Sequence, residues 1–248
     1  MTMHCIQGKY LMIIKNTAQR PQHKWIILLA MLYLVGWVTS YPMIYKMTEV
    51  HHILEPGCIY LFPLSYAIAD IITEVYGYEI TRKIIWFAIL SGLIYSLALW
   101  LVAQVPAPGY WTKQEAYQTV FSPILRAYYA TTVASLLGNF INIYVISKWK
   151  IAMRGKCFWL RSLASTAFGE LTFSVIGGTI AYAGIEPWGK IIFLMMDGYL
   201  FKMIYAIVAV WPAAAIVIFL KWSERVDVYD YDVNYSPFSL ASYSHSKA

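Results

Sequence analysis

The segment GCIYLFPLSYAIADIITEVY (Gly57–Tyr76) is a run of 20 mostly apolar residues that holds only two charged side chains, Asp70 and Glu74. An α-helix of about 20 residues rises about 30 Å, which is the thickness of the hydrocarbon core of a bilayer. Because lipid offers no hydrogen-bond partners to the backbone, a segment that crosses it must be helical. We therefore predict that Gly57–Tyr76 is a transmembrane helix.

Five further apolar stretches of similar length occur in the chain, and its composition agrees with a membrane protein. Hydrophobic residues make up 60% of the 248 residues and charged residues only 13%, about half the charged share of a soluble domain. The other predicted spans are Trp25–Met43, Ile84–Val105, Leu125–Ile146, Ser162–Gly184 and Ile191–Leu220. The predicted fold is an all-α membrane protein, a bundle of six transmembrane helices that occupies residues 25–222 as one domain.

Lys and Arg residues are distributed unevenly between the segments that join these spans. If the N-terminus lies inside, the inner segments hold 14 Lys and Arg residues, and the outer loops hold Lys46, Lys113 and Lys190. Positive charge is enriched on the cytoplasmic side of membrane proteins. We therefore predict a multi-pass protein of the cytoplasmic (inner) membrane with both termini in the cytoplasm. Residues 1–24 form a basic segment, and the Ser- and Tyr-rich residues 223–248 are expected to be disordered.

Several classes of function are disfavoured by the sequence. The net charge of +6 does not indicate a nucleic-acid partner, since the basic residues cluster beside apolar runs. Cys5, Cys58 and Cys157 form no CxxC pair, which argues against a disulfide framework or a zinc site. The sequence contains no P-loop, HExxH motif, nucleophile elbow or glycine-rich nucleotide fingerprint. We therefore predict no enzymatic activity, metal or cofactor.

Polar residues within the predicted spans share faces and depth. Charged side chains in a bilayer cost about 2.5–3.5 kcal/mol each on insertion scales and usually face a protein interior. Asp70 and Glu74 are four residues apart and Asn139 and Asn142 three apart, so each pair shares one helical face. The helical rise places Asp70, both asparagines and Glu170 at about one level. Two interpretations stay open, a polar binding cavity and internal pairs that lock the bundle.

The last two predicted spans carry further polar and small residues. Lys202 lies five residues after Asp197, about 140° around the helix, so we expect it to pair with an acid on another helix. The excess of carboxylates suits a cationic or hydrogen-bond-donating solute, or protons. A stripe of small residues allows close helix packing, within one chain or across a homo-oligomer. This stripe consists of Ser165, Gly169, Gly177 and Ala181.

The run ADIITEVYGYEITRKIIW (Ala69–Trp86) resembles the hallmark segment of the queuosine precursor transporter family, also called the vitamin-uptake-like transporter family. Later segments follow in the same order as in that family. They are Leu125–Ala127 with GNFIN (Gly138–Asn142), STAFGELTF (Ser165–Phe173) and MDGYLFKMIYA (Met196–Ala206). The resemblance covers most of residues 25–222.

The resemblance implies a six-helix transporter that imports 7-deazaguanine precursors of queuosine (preQ0, preQ1) or the base queuine. It also implies a fold similar to the substrate-binding components of energy-coupling-factor vitamin transporters. Eight positions match the family motifs: Asp70, Glu74, Arg82, Arg126, Asn139, Glu170, Asp197 and Lys202. Some family members have a basic residue in place of Glu74 and Asn in place of Glu170, so we expect these two positions to influence which precursor is accepted.

A deazaguanine presents an amino group and ring N–H donors, which a carboxylate accepts in pairs. We expect Asp70 or Glu170 to bind this edge and Asp197 to attract or gate a cation. The flat ring would stack on an aromatic side chain such as Tyr76, Tyr144, Phe173 or Tyr199. The complete predicted binding set is Asp70, Glu74, Tyr76, Asn139, Asn142, Glu170, Asp197 and Lys202. Structural or gating roles are expected for Arg82, Arg126, Gly77 and Gly169.

Two other functions stay open at this point. The chain could be a substrate-binding component that depends on a partner ATPase, which another protein would supply because this sequence has no P-loop. An intramembrane aspartyl enzyme would use Asp70 and Asp197 as a carboxylate pair. No GxGD-like motif surrounds either residue and their expected depths differ, so the transporter is favoured.

Overall fold

A computed structural model describes residues 23–50 and 53–239, and this part of the chain is a bundle of long helices. The helices are α1 (Ile26–Met43), α2 (Phe62–Tyr76), α3 (Tyr78–Gln104), α4 (Gln114–Phe121), α5 (Ile124–Ala152), α6 (Phe158–Tyr182) and α7 (Trp188–Glu224). Among the described residues, six helical segments are long and apolar enough to cross a membrane. The predicted all-α membrane bundle is therefore confirmed.

The connections between the helices contain structure that the sequence pattern did not predict. Strands β1 (Met47–Val50) and β2 (Ile53–Pro56) form an antiparallel hairpin, followed by a 3₁₀ turn over Gly57–Tyr60. α3 begins at Tyr78 rather than at the predicted Ile84. The reason is that polar residues such as Arg82 and Lys83 continue a helix readily, so hydropathy marks the apolar part of a helix and not its ends.

Alternating helix directions give the bundle two distinct ends. We call the end that carries Trp25, the turn at Gly77 and the end of α7 the terminal end. The opposite end carries the β1–β2 hairpin, α4 and the turn between α6 and α7, and we call it the hairpin end. A hydrogen bond joins separate segments at each end. At the terminal end, Trp25 N donates to Glu224 Oε1 (2.7 Å), and at the hairpin end, Tyr182 Oη donates to Ile44 O (2.9 Å).

α2 is the central helix, with 13 of its 15 residues buried. A helix that is apolar around most of its circumference is stable only when other helices cover it. The covering elements are α1, α5 and α7 together with the start of α3. The two carboxylates of α2 therefore face protein and not lipid.

The small-residue stripe of α6 packs against α5 within the same chain. A Cβ atom added to Gly138 of α5 would lie 2.6 Å from the carbonyl oxygen of Gly169, and one added to Gly169 would lie 2.8 Å from that of Gly138. About two turns further along α6, a Cβ on Gly177 would lie 3.1 Å from Ala134 Cβ. The stripe is thus occupied by an internal helix–helix contact.

Residues 225–239 are part of the segment for which disorder is predicted. They follow α7 as an irregular segment, here called the strap, which crosses the terminal end. Asp230 Oδ2 accepts hydrogen bonds from the backbone N–H of Tyr78 (3.0 Å) and from Ser147 Oγ (2.6 Å). The strap lacks helical periodicity because its role is to supply acceptors to helix ends. Residues 1–22 and 240–248 lie outside the described part.

We predict that Gly138→Ala lowers the stability of the folded chain. The new Cβ would meet a backbone oxygen, which cannot move aside without separating α5 from α6, so we expect a loss of about 1–3 kcal/mol. Thermal unfolding of the purified protein in detergent measures it. Gly109→Ala is the matched control, since open space surrounds that position. Equal melting temperatures for the two variants would contradict the close packing.

Candidate functional site

A cleft opens at the hairpin end between β2, α5, α6 and α7. Its volume is about 710 Å³ when the part open to solvent is counted. Most of the lining is apolar, and the polar side chains include Glu55, Thr131, Ser174 and Lys202. A largely apolar cleft with a few polar groups is typical of a binding site for a small molecule.

A second, smaller cavity lies between α2, α6 and α7, with a volume of about 330 Å³. Asp70, Ser162, Thr166 and Glu170 contribute to its wall. Lys202 lines both this cavity and the cleft, so its side chain marks the boundary between them.

Lys202 pairs with Glu170 at this boundary. The Nζ atom of Lys202 lies 3.1 Å from Glu170 Oε2 and donates a hydrogen bond of 2.9 Å to Ser174 Oγ. The same Nζ lies 5.0 Å from the centre of the Phe173 ring. The pairing of Lys202 with an acid on another helix agrees with the spacing argument. The ion pair is part of the wall that separates the two cavities.

Asp70 joins three helices through neutral donors. Its carboxylate accepts a hydrogen bond of 2.6 Å from Asn142 Nδ2 of α5 and hydrogen bonds from Ser162 Oγ and Thr166 Oγ1 of α6. The predicted common level of Asp70 and Asn142 is therefore correct. Sequence analysis missed Ser162 and Thr166, although they precede Glu170 at four-residue intervals and so share its helical face.

Glu74 lies away from both cavities, at the terminal end. Its carboxylate forms a two-point contact with Arg161, with Nη1–Oε2 at 2.6 Å and Nη2–Oε1 at 3.2 Å. Lys221 Nζ lies 2.7 Å from Oε1, and Lys150 Nζ lies 4.0 Å from the same atom. The partner of Glu74 is thus Arg161, and the arrangement is the internal ion-pair alternative rather than a binding cavity.

Of the aromatic side chains predicted to stack on the base, some line a cavity and others do not. Phe173 lines the cleft, whereas Tyr76, Tyr144 and Tyr199 are absent from the lining of the two cavities within the described residues. Asn139 also lies elsewhere, and its Nδ2 is 3.4 Å from Tyr33 Oη. Of the aromatic side chains considered from sequence, Phe173 is the one positioned to contact a molecule in the cleft.

The two arginines close opposite ends of the bundle. Arg126 donates through Nε and Nη2 to the carbonyl oxygen of Ile180, at 3.1 and 3.0 Å, and Nη2 also donates to that of Ala183. It therefore satisfies carbonyl groups at the C-terminal end of α6. Arg82 donates through Nη1 to the carbonyl oxygens of Asn234 (2.6 Å) and Ser236 (2.9 Å) in the strap. Both contacts favour structural roles.

Gly77 has a positive φ of 87° at the sharp turn between α2 and α3. A Cβ there would lie 2.8 Å from Asp230 Oδ1 and 2.8 Å from Val228 Cγ1 of the strap. Glycine is therefore required by both the backbone conformation and the close approach of the strap.

Glu55 is a functional candidate that sequence analysis missed. It lies in β2, lines the cleft, and is only 2% exposed. Neither carboxylate oxygen accepts a hydrogen bond from an N–H or hydroxyl group among residues 23–50 and 53–239. Burial raises the pKa of Glu55 to about 8. Repulsion from Asp197 and a hydrogen bond shared with the Asp197 carboxyl group add to this rise, while Lys202 acts in the opposite direction. No periodicity distinguishes Glu55 from Glu49 in the same loop, so the sequence carried no signal for it.

Comparison with known proteins gives a family match over most of this region. A family model described as "Putative vitamin uptake transporter" matches residues 56–217. The chain is 24% identical to a "Probable queuosine precursor transporter" of Bacillus subtilis over 56% of this chain and 62% of the relative. It is 23% identical to the "Queuosine precursor transporter" of Escherichia coli over 63% of this chain and 70% of the relative.

A "Probable queuosine precursor transporter" of Haemophilus influenzae is 24% identical over 63% of this chain and 66% of the relative. The match therefore spans less than two thirds of the length of the Bacillus and Haemophilus proteins. No solved structure matches the chain significantly.

We predict that Glu74→Gln destabilises the fold by about 3–5 kcal/mol, because it leaves Arg161 buried without its counter-charge. Denaturation of the purified protein measures the loss. The control is Glu186→Gln, which removes an exposed pair with Lys190 (2.8 Å) and should cost less than about 1 kcal/mol. A stable Glu74→Gln protein that has changed only in ligand binding would show that Glu74 belongs to the binding site.

Glu55 also predicts a dependence of stability on pH. Its pKa in the folded chain, about 8, lies above the ordinary value of 4.5. Its contribution to stability is therefore complete below about pH 4.5 and lost as the pH rises through about 8. The melting temperature should fall by several degrees between about pH 5 and 8.5. Glu55→Gln should reduce this fall, and the exposed Glu115→Gln should not; an unchanged slope in Glu55→Gln would contradict the assignment.

Proposed function

The chain belongs to the vitamin uptake transporter family, and we propose that it imports a 7-deazaguanine precursor of queuosine (preQ0, preQ1 or queuine) into the cytoplasm. The observation that carries the proposal is the cleft at the hairpin end, which is lined by Lys202, together with the ion pair that joins Lys202 to Glu170 in the wall of the smaller cavity. The names of the Bacillus, Haemophilus and Escherichia relatives support this class of solute.

The Glu170–Lys202 pair matches the hydrogen-bonding edge of a guanine-like base. That edge presents two N–H donors beside a carbonyl acceptor, and a carboxylate next to an ammonium group offers the complementary acceptors and donor. Glu170 would accept from the ring N–H and the amino group, and Lys202 would donate to the carbonyl oxygen. The rings of Phe173 and Phe62, 4.5 Å apart between centroids, supply apolar contacts for the flat base at the same place.

The boundary position of Lys202 suits it to a role in translocation. Because it lines both cavities, rearrangement of its ion pair would connect the cleft to the cavity beside Asp70. Alternating exposure of one site to the two sides is the general mechanism of secondary transporters. Asp70, held by neutral donors from two helices, would then receive the base edge after Glu170 has released it.

The proposed orientation places the terminal end in the cytoplasm of the cell and the cleft toward the outside, with the protein in the cytoplasmic membrane. The distribution of positive charge supports this orientation, because Lys150, Arg161 and Lys221 cluster at the terminal end. A solute would therefore enter from the hairpin end.

Uptake in cells that lack both precursor synthesis and their own importer tests the proposal. Queuosine in tRNA should appear when the native chain is expressed and preQ0, preQ1 or queuine is supplied. Glu170→Gln and Asp70→Asn should each lower initial uptake at least about tenfold, since hydrogen bonds to charged groups are worth about 1.5–3 kcal/mol. Glu115→Gln, an exposed carboxylate at the hairpin end, is the control and should retain uptake.

The same experiment has clear contrary outcomes. Absence of queuosine with every precursor, with normal amounts of inserted native protein, would contradict the proposed solute. Full uptake by inserted Glu170→Gln would contradict the assigned site. Uptake by the purified chain in liposomes separates a self-sufficient transporter from a binding component that depends on a partner ATPase, because only the former works without another protein.

A further inference from the structure

The carboxylate of Glu55 lacks an N–H or hydroxyl donor among the described residues, and this indicates that it binds a ligand. A carboxylate that is 2% exposed loses most of its hydration and normally gains donors in exchange. Neither oxygen of Glu55 has such a donor within the described residues, although the side chain lines the cleft. The side chain that shares a hydrogen bond with Glu55, Asp197, is an acid as well, so a cationic or N–H donor has to come from a group that enters the cleft.

The surroundings of Glu55 favour a positively charged partner. Asp197 on α7 repels a negative charge at Glu55 and so adds to the negative potential. Lys202 is the opposing cation in this part of the structure, and it already pairs with Glu170. The electrostatic neighbours of Glu55 are thus one acid, Asp197, and one cation, Lys202, which is already paired with Glu170.

The backbone of α7 packs closely against the Glu55 carboxylate. Gly198 lies under the carboxylate, and a Cβ at this position would be 3.2 Å from Glu55 Oε2. Because residue 198 is glycine, the Glu55 carboxylate lies next to the α7 backbone and meets no side chain at that position. Glu55 and Lys202 border the same cleft, and Lys202 in turn contacts Glu170, so one small molecule can reach both Glu55 and the ammonium group of the ion pair.

We propose that Glu55 binds the cationic aminomethyl group of preQ1 and makes the chain selective for this amine over the neutral nitrile preQ0. This inference rests on the function proposed above. With the base edge at Glu170 and Lys202, the substituent on the five-membered ring extends along the cleft to Glu55. An ammonium group donates up to three hydrogen bonds to carboxylate oxygens, whereas a nitrile has no hydrogen to donate.

Binding of the amine involves a proton transfer that can be measured. In the empty cleft the raised pKa of Glu55, about 8, leaves much of the carboxyl group protonated at neutral pH. When the ammonium group binds, the carboxyl proton leaves to solvent through the open mouth of the cleft and the ionised carboxylate pairs with the cation. The affinity for preQ1 should therefore rise with pH, and the affinity for preQ0 should depend on pH much less.

Two measurements test the inference. The first is titration calorimetry of the purified full-length chain with preQ1 and with preQ0, at about pH 6 and pH 8. The second is cellular uptake of both compounds. The native chain should bind preQ1 at least about tenfold more tightly at the higher pH, as a carboxyl group with the stated pKa ionises. Glu55→Gln should lower preQ1 affinity at pH 8 at least about tenfold and change preQ0 affinity less than about threefold. Glu55→Asp, which keeps the charge, should recover part of the loss, and Glu115→Gln should resemble the native chain.

The outcomes separate this inference from the function on which it rests. If the native chain binds and imports the precursors but Glu55→Gln weakens preQ1 and preQ0 equally, or weakens neither, the assignment of Glu55 is wrong and the proposed function stands. If the folded native chain binds neither compound, this inference is wrong, and the proposed function is wrong as well if queuine also fails to bind. A selective loss of preQ1 with loss of the pH dependence supports both.

Discussion

Asp70 and Glu74 are carboxylates one turn apart on a helix that is buried on almost every side, and they can be stable there only if other helices bring donors to them. The donors differ in kind. Asp70 receives neutral groups from α5 and α6, while Glu74 receives cations, Arg161 from α6 and Lys221 from α7. These contacts fix how α2 sits against its neighbours, and the positions of both cavities follow from them.

The two ends of the bundle differ because their polar groups are satisfied differently. At the terminal end, Lys150 Nζ contacts Asp227 Oδ1 at 2.6 Å, and the strap supplies further acceptors to Arg82 and to the start of α3. At the hairpin end, Glu55 stays without a donor among the described residues, and the cleft is open beside it. One end is thus closed by ion pairs, and the other end has an open and largely apolar cleft. This arrangement is expected of a transporter whose binding site is accessible from one side.

Close helix packing and the binding cleft are linked through α6. Its glycines let it approach α5 closely, while Ser162, Thr166 and Glu170 on a neighbouring face reach the smaller cavity. One helix thus carries both a rigid packing surface and polar groups for a ligand. Because the packing surface is used internally, oligomerisation of the chain, if it occurs, must use another face.

The sequence by itself determined the six membrane-crossing helices, since a long apolar run in lipid has no other stable conformation. It also placed Asp70 level with Asn142 and gave Lys202 a partner on another helix, because helical rise and angle per residue are fixed. Only the tertiary structure decided which partner each charge has: Glu74 binds Arg161 and Lys221, and the strap packs where disorder was expected. Glu55 became visible only in the fold, because burial without a partner is a property of packing between distant segments, and local periodicity holds no information about it.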